Sequence, residues 1–567
     1  MVSPHNGYSA AVQHWTSAHT HLTRAIEEYA DASSALEVAL KTLPDRQPSS
    51  RSSLNRALDE LEDQFASLML DEKALQKIRH KLAVLRNESR VLASINVNAL
   101  PREVLGLIFH LACPPCHSPE DGAVKPEVIS SVCTMWRKLS FSMPLLWSHI
   151  HVNIIKSSIS DNQYLRLKSW IDRTQSSGLY IHITEYGRGR TRTEEYFSKR
   201  RYLQLATFLQ PLMPRVYGLE IVSRCGIENY INDLIDLWVT YGTLHTAKIL
   251  SVDHTHCDGS LLIKPVCQEP EEVYGPASVL RFQQFFESIH TLRLHEILIP
   301  LNANIHRGLV ELHLYNCLSD YILDQSTMLE ILTACPELRS LKLVAVNIIK
   351  SDEPNLAPVA LNQLEVFTLD AGEGFRNGDT TYILPLIIGG SASLSVTFMI
   401  DIRHLTPEFI SIIHLFLARS NVKTLHIRGR FGDTIPLTPA LTRIPKLQRL
   451  AFDYCDVSSD DALTKFISLN TDNSGETLDP WPQLQELYLI DYDGTDTDMQ
   501  RLVSLHSIQT LRFYWYEEEG SKPSPEIMQA LQKTVANVTS YELGLDNNPT
   551  DSWDAAFPVL ICDCGEE

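Results

Sequence analysis

The stretch Leu338-Arg339-Ser340-Leu341-Lys342-Leu343 decides the fold of this chain. Leu341 and Leu343 alternate with polar residues, which is the period of a β-strand with one buried face. The pattern Leu-x-x-Leu-x-Leu, with other apolar residues in some copies, recurs through the second half of the sequence. Its clear copies begin at Leu309, Leu338, Leu364, Val422, Leu447, Leu484 and Ile508, and weaker copies begin at Leu219, Leu292 and Leu394. We therefore predict one strand for each copy.

The copies are spaced closely enough to form an array. Their middle positions, at 312, 341, 367, 396, 425 and 450, are 25 to 29 residues apart, and helix-like segments at 326–334, 407–420, 459–469 and 525–538 lie between strands. The next step, from 450 to 487, predicts an inserted loop at 470–480. This period resembles that of leucine-rich-repeat domains, an α/β fold. The resemblance implies a horseshoe-shaped solenoid over residues 216–567, with the strands on its concave face.

Side chains between the leucines are expected to line that concave face, where Tyr and Arg are typical binding anchors. The candidate residues for binding a target protein are His313, Tyr315, Lys342, His426, Arg428, Tyr488, Arg512 and Tyr514. The alternative is ordinary strand surface, and only clustering in space can decide between the two.

Residues 98–152 predict a small helical module. Pro101 suits the first position of a helix, and Pro114 stops it. The apolar residues that follow Pro101 at helical spacing are Val104, Leu105, Ile108, Leu111 and Ala112. A second helix is predicted from Pro126, with apolar positions at Val128, Ile129, Val132, Cys133, Trp136 and Leu139, and a Leu-Trp strand follows it. These elements are too small to form a core alone, so they should leave apolar surface for a partner.

The order of motifs in this module resembles an F-box, and more narrowly the F-box-like proteins that are expanded in mushroom-forming fungi. The matching residues are Leu100, Pro101, Glu103, Val104, Leu105, Ile108, Phe109, Val132, Cys133, Trp136, Arg137, Leu146 and Trp147. The resemblance implies binding to the Skp-type adaptor of a cullin-RING ubiquitin ligase. It assigns the adaptor contacts to Leu100, Pro101, Glu103, Val104, Leu105, Ile108, Phe109, Val132, Cys133, Trp136 and Leu139.

Three features of the module remain open in the sequence. The interval from Cys113 to Lys125 is longer than the usual F-box linker. Trp136 contacts either the adaptor or the core of the module. Trp147 is expected to be internal and to pin the module to the first strand of the following domain.

The remaining segments flank this module. Residues 1–53 contain an N-terminal helix and a polar linker, and residues 54–97 carry leucines at intervals of seven that predict a coiled coil for self-association or a helix packed within the chain. Residues 153–215 are assigned to a connecting α/β segment. Within and beside it, residues 148–155 alternate and residues 179–183 are β-like, so both predict strands.

Composition limits the possible functions. The net charge of −20 argues against a general nucleic-acid binder, so the basic residues between Arg188 and Arg201 are read as a solvated loop and helix start rather than as a site for nucleic acid or phosphopeptide. No secretory signal or membrane-spanning run is found, and the eleven cysteines read as free thiols. We therefore expect a cytoplasmic or nuclear protein without membrane partners.

Catalytic and cofactor motifs are not found in the sequence. There is no phosphate-binding loop, dinucleotide fingerprint, nucleophile elbow or zinc-protease motif. Cys113 and Cys116, with His110 and His117, lack a second ligand pair for zinc. The resulting expectation is a non-enzymatic substrate receptor without metal or cofactor. The alternative is an interaction scaffold that is uncoupled from ubiquitin ligation.

Overall fold

The structure is a computed structural model of the full chain. It describes isolated positions between 14 and 35 and then residues 100–113, 125–155, 159–186, 198–223, 230–254, 261–262, 276–298, 307–316, 323–352, 356–371, 380–400, 407–428, 444, 446–453, 484–490, 503, 508–516 and 525–543. Residues 1–101 and 102–567 form two compact units. Each described position of the first unit between His14 and Ala35 is helical and exposed.

In its described residues the second unit is an α/β structure with one large parallel sheet of fourteen strands, whose order in the sheet is their order in the chain. The strands are β1 His149–Ile155, β2 Leu179–Tyr186, β3 Val216–Ser223, β4 Ile249–His254, β5 Thr291–His295, β6 Glu311–Tyr315, β7 Ser340–Val344, β8 Val366–Ala371, β9 Leu394–Ile400, β10 Val422–Arg428, β11 Arg449–Asp453, β12 Glu486–Ile490, β13 Thr510–Tyr516 and β14 Asn537–Leu543. Within the described residues β1 and β14 each have one neighbour in this sheet, so it is open.

The spacing of the leucines matches the register of the sheet. Leu312 is paired with Leu341, and Leu341 is paired with Phe367. The same row continues through Val396 and Leu425 and on to β13. Positions that are 25 to 29 residues apart are therefore direct neighbours, as the sequence predicts.

Among the described residues of the second unit, three α-helices precede β1 and the others lie between strands. The α-helices are α1 Arg102–Ala112, α2 Pro126–Val132, α3 Thr134–Phe141, α4 Asp161–Thr174, α5 Lys199–Leu209, α6 Ile231–Tyr241, α7 Pro276–Phe286, α8 Gln325–Ala334, α9 Pro407–Arg419 and α10 Pro525–Leu531. Shorter 3₁₀ helices lie at Pro144–Trp147, Gln210–Arg215 and Thr380–Leu386. Short parallel strands also pair Leu261–Leu262 with Ile297–Leu298, Leu323–Asp324 with Ile348–Ile349, and Val359–Leu361 with Ile387–Gly389.

The leucine side of the sheet and the helices share one hydrophobic core. Aromatic side chains fill the space between elements: Trp238 of α6 meets Phe285 of α7 at 5.0 Å between ring centroids, and Phe416 of α9 meets Phe367 of β8 at 5.2 Å. Arg281 of α7 donates hydrogen bonds to the carbonyl oxygens of Val239, Thr240 and Gly242 at the end of α6. Successive connections are thus tied together by apolar packing and by capping of helix ends.

The structure differs from the sequence prediction in several elements. The sheet begins at His149 rather than near residue 216, because β1 and β2 pair in the same parallel ladder as β3. The helix predicted to begin at Pro126 is divided at Cys133, and the predicted Leu-Trp strand is the 3₁₀ helix Pro144–Trp147. The last predicted helix ends at Leu531, since β14 begins at Asn537. The heptad segment 54–97, the helix at 459–469 and the loop at 470–480 lie outside the described residues.

Candidate functional site

One side of α1 is apolar and exposed. Val104, Leu107, Ile108 and Leu111 follow one another at intervals of three, one and three residues, so they form a single stripe along the helix. All four are exposed, and Leu107 and Leu111 expose 59% and 69% of their surface. A helix stripe with this spacing is suited to an apolar groove of a partner protein. We call these four residues the α1 stripe.

The opposite side of α1 belongs to the core. Leu105 and Phe109 are fully buried, and the ring of Phe109 lies 4.8 Å from that of Trp136. Gly106 allows close approach of the helix, because a Cβ atom at this position would lie 3.3 Å from Met143 Cε. The prediction that Leu105 and Phe109 contact an adaptor is wrong, since packing inside the module leaves these side chains no exposed surface.

The second half of the module is also apolar on its outside. Val128 and Val132 of α2 are exposed, whereas Ile129 is buried. Cys133 separates α2 from α3, because its extended backbone ends α2 and its Sγ accepts a hydrogen bond from the N–H of Trp136 at 3.4 Å. The module therefore presents α2 and α3 as two short helices.

The predicted adaptor residues divide into three groups by exposure. Leu105 and Phe109 are fully buried. Leu100, Cys133, Trp136 and Leu139 are partly buried, and Trp136 packs against the core. Pro101, Glu103, Val104, Ile108 and Val132 are exposed. Sequence reasoning missed the exposure of Leu107, Leu111 and Val128. Leu107 has helical spacing from Val104 and Leu111, but the buried Leu105 and Phe109 have helical spacing as well.

A cluster of aromatic side chains joins the module to the sheet domain. Trp147 is fully buried, and its indole N–H donates to the carbonyl oxygen of Ser140 at 2.9 Å. Trp170 of α4 meets its ring edge-on at 5.3 Å. The guanidinium of Arg173 lies 4.4 Å from the ring centroids of both Phe141 and Trp147. The expected internal position of Trp147 is confirmed, and its ring contacts with the following domain are made to α4.

The other face of the sheet carries polar side chains that are buried in its middle. Lys342 is only 3% exposed, and His313 is fully buried with its Nε2 2.8 Å from Ser340 Oγ. Burial, assisted by the charges of Lys342 and Arg293, holds the pKa of His313 well below its usual value. His426 and Asp453 are both buried, and His426 Nε2 lies 3.5 Å from Asp453 Oδ2. This part of the face is an interior, not a surface.

The predicted target-binding residues are therefore only partly available. The prediction of an exposed binding face is wrong for His313, Tyr315, Lys342, His426 and Tyr488, all of which are buried. Arg428, Arg512 and Tyr514 keep partial exposure. Arg512 and Tyr514 lie on β13, near the end of the sheet.

The last three strands carry a cluster of aromatic and charged side chains. The Tyr488 hydroxyl donates to the carboxylate of Glu486 at 2.5 Å, and the guanidinium of Arg512 lies 5.2 Å from the Tyr488 ring centroid. Tyr514 stacks on Tyr541 at 5.2 Å. Burial and the hydrogen bond to Glu486 raise the pKa of Tyr488, so its hydroxyl remains protonated. Such a cluster is suited to binding rather than to proton transfer.

Histidines cluster at the first strands. His149 Nδ1 lies 3.0 Å from His182 Nε2, and His182 Nδ1 is hydrogen-bonded to Glu220. The ring of His151 stacks on that of His182 at 4.4 Å. Burial, assisted by neighbouring positive charge, lowers the pKa of both His149 and His151 to about 3. These two imidazoles are consequently neutral at physiological pH.

An Asp-His pair lies at the ends of β4 and β5. Asp253 Oδ1 is 2.5 Å from His295 Nδ1, which resembles the orienting pair of some hydrolases. Asn316 Nδ2 lies 2.9 Å from the other ring nitrogen of His295. Both nitrogens are engaged, so the pair joins strand ends and does not offer a base to a substrate.

No three His, Cys, Asp or Glu side chains of the described residues converge as metal ligands, and Cys116, His117 and Arg188 to Arg192 lie outside those residues. Among the described helices, none is both long and apolar enough to cross a membrane. The chain matches no protein-family model, and no curated protein is similar to it in sequence.

Proposed function

We propose that this chain is the substrate-recognition subunit of a cullin-RING ubiquitin ligase. In this proposal residues 98–152 are an F-box-like module that binds the Skp-type adaptor and, through it, a cullin. The parallel sheet and its helices are a leucine-rich-repeat solenoid that binds a target protein. The chain performs no bond chemistry itself; it raises the effective concentration of target lysines near the ubiquitin-charged enzyme.

The α1 stripe carries this proposal. Four large apolar side chains at helical spacing remain exposed on one short helix, and Val128 and Val132 add exposed apolar surface on α2. Exposed apolar clusters of this kind mark protein interaction sites. The proposed adaptor contacts are Pro101, Val104, Leu107, Ile108, Leu111, Val128 and Val132.

The junction of the module with the sheet supports the same function. Trp147, Trp170 and Arg173 form a packed cluster between them, and Arg166 of α4 binds Glu127 of α2 at 3.0 Å. A buried aromatic cluster resists bending better than a flexible linker does. The adaptor-binding helices are consequently held in a fixed orientation relative to the strands that bind the target.

Capture of the Skp-type adaptor by the full chain tests the proposal. The variant Leu107→Ser/Leu111→Ser should lose adaptor in co-purification, because it makes the α1 stripe polar. Leu165→Ser/Leu203→Ser is the matched control, since these leucines are equally exposed but lie on α4 and α5. The control should retain adaptor, and both variants should unfold at the denaturant concentration of the original chain. If the original chain captured no adaptor, the scaffold alternative would replace the ligase proposal.

A further inference from the structure

The last strand of the sheet has an open edge. Within the described residues β14 pairs in the main sheet with β13 only, and the N–H of Asn537 donates to the carbonyl oxygen of Gln509 at 3.1 Å. Alternate residues of a parallel strand direct their backbone groups to opposite sides. The N–H and C=O groups of Val538 and Ser540 therefore point to the open edge. Such an edge can accept one more strand.

The side chains near this edge show what the added strand should carry. Arg512 stands directly opposite Tyr488 in the register of β12 and β13, with its guanidinium over the ring. Tyr514 is covered in the same way by Tyr541, one strand further on. Tyr541 itself is 47% exposed. A side chain in an added strand would cover its ring as Arg512 covers Tyr488.

Charge favours a cationic side chain at that position. The chain carries a formal net charge of −20, which attracts basic segments. A guanidinium is attracted to the face of a tyrosine ring, and Arg512 provides the example one strand away. We propose that the open edge of β14 binds an extended, arginine-containing segment of the target protein by strand addition, with the arginine over Tyr541. This inference rests on the proposed function, because it names the kind of segment that the target presents.

Binding of a designed peptide to the full chain tests the inference. The probe is a fluorescein-labelled nonapeptide, Thr-Val-Thr-Val-Arg-Val-Thr-Val-Thr, followed by fluorescence anisotropy. Saturable binding is expected, and replacing the arginine by glutamate should weaken it about tenfold. N-methylation of alternate peptide amides should abolish binding, because it removes the backbone donors of the added strand.

Variants of the chain locate the site. Tyr541→Ala should weaken the arginine peptide about fivefold and leave the glutamate peptide unchanged. Ser540→Pro should abolish binding, since it removes an N–H that points away from β13 and therefore leaves the β13–β14 ladder intact. Ser540→Ala is the matched control and should bind normally. Circular dichroism and the unfolding midpoint establish that Ser540→Pro is folded, and the N-methylated peptide tests the same backbone contact without altering the chain.

Several outcomes would overturn the inference. They are no binding by the arginine peptide, equal binding by the glutamate or N-methylated peptide, and normal binding by Ser540→Pro. A concentration-dependent dimer that Ser540→Pro abolishes would assign the edge to a second copy of the chain instead. Adaptor capture is measured on the same preparations. Retained capture with failed peptide binding refutes this inference alone, whereas lost capture by the original chain refutes the proposed function.

Discussion

Two regions of the molecule differ from the usual pattern of burial. The α1 stripe is apolar but exposed, whereas the middle of the sheet face opposite the leucine side is polar but buried. Leu111 exposes 69% of its surface, whereas Lys342 exposes 3%. Burying polar groups is costly unless they are hydrogen-bonded or paired, and exposing large apolar side chains forgoes the hydrophobic gain of burial. We expect truncation of the exposed leucines to cost little stability, and truncation of one partner of a buried polar pair to cost more, because it leaves the other partner buried without its contact. Substitutions in the two regions should therefore separate stability from binding.

The largest difference should appear within α1 itself. Phe109→Ala removes a fully buried ring that packs on Trp136, and we expect it to lower the free energy of unfolding by about 3–5 kcal/mol. Leu107→Ala, two residues away, should change it by less than about 0.5 kcal/mol, because Leu107 is exposed. Denaturant titration followed by circular dichroism measures both. Equal losses in the two variants would show that the two sides of α1 do not differ as described.

The buried polar face provides the next largest effect. Asp453 is buried, with Oδ2 3.5 Å from His426 Nε2 and 3.6 Å from Arg428 Nε. Asp453→Ala leaves these groups without their carboxylate, and we expect a loss of about 3 kcal/mol in the free energy of unfolding. Asp352→Ala is the control, since Asp352 is an exposed aspartate in the same sheet domain. A loss below about 1 kcal/mol for Asp453→Ala would refute the view that this face is an essential interior.

A partly buried histidine makes the free energy of unfolding depend on pH. The pKa of His151 is lowered to about 3 by burial, whereas an unfolded histidine has a pKa of about 6.5. Below pH 6.5 the unfolded chain binds a proton that the folded chain does not, so the free energy of unfolding falls as the pH is lowered towards 3. We expect His151→Asn to reduce this loss between pH 7.5 and pH 5 by about 1–2 kcal/mol.

The control for this prediction is internal. The pKa of Asp236 is raised to about 6 by burial and by Asp233, and its protonation acts in the opposite direction on lowering the pH. It titrates in both proteins, so it cancels when the two pH profiles are subtracted. Parallel profiles for the original chain and His151→Asn would contradict the assignment of a partly buried, neutral His151.

Much of the sheet could be predicted because apolar residues recur at a regular spacing within most of its strands. Leu312 and Leu341 are paired, and their spacing alone aligned them. The first two strands are predicted as strands, but the sequence divides β1 between the module and the connecting segment and assigns β2 to that segment, since both lack the full Leu-x-x-Leu-x-Leu pattern although Ile150 and Val152 alternate. Membership of one sheet depends on pairing between segments distant in sequence, which a local period does not reveal.

The candidate sites were harder to predict because α1 is apolar on both sides. Leu105 and Phe109 are buried, with Phe109 against Trp136, and nothing in the spacing of α1 alone ranks that side above Leu107 and Leu111. The break between α2 and α3 at Cys133 could not be predicted either, because the helical spacing of apolar residues continues across it. A capping contact, Trp136 N–H to Cys133 Sγ, ends one helix and begins the next.

The smallest effect should come from the end of the sheet face that remains accessible. Arg512 lies over the Tyr488 ring and 3.8 Å from Glu486, but it is partly exposed, so its contribution is reduced by solvent. We expect Arg512→Ala to lower the free energy of unfolding by about 0.5–1 kcal/mol. Arg449→Ala is the control, because Arg449 lies 3.9 Å from the same carboxylate and none of the described contacts places it over an aromatic ring. It should cost less than about 0.5 kcal/mol. A loss of about 3 kcal/mol for Arg512→Ala would mean that the last strands resemble the buried middle of the face, and that they offer no surface for a target.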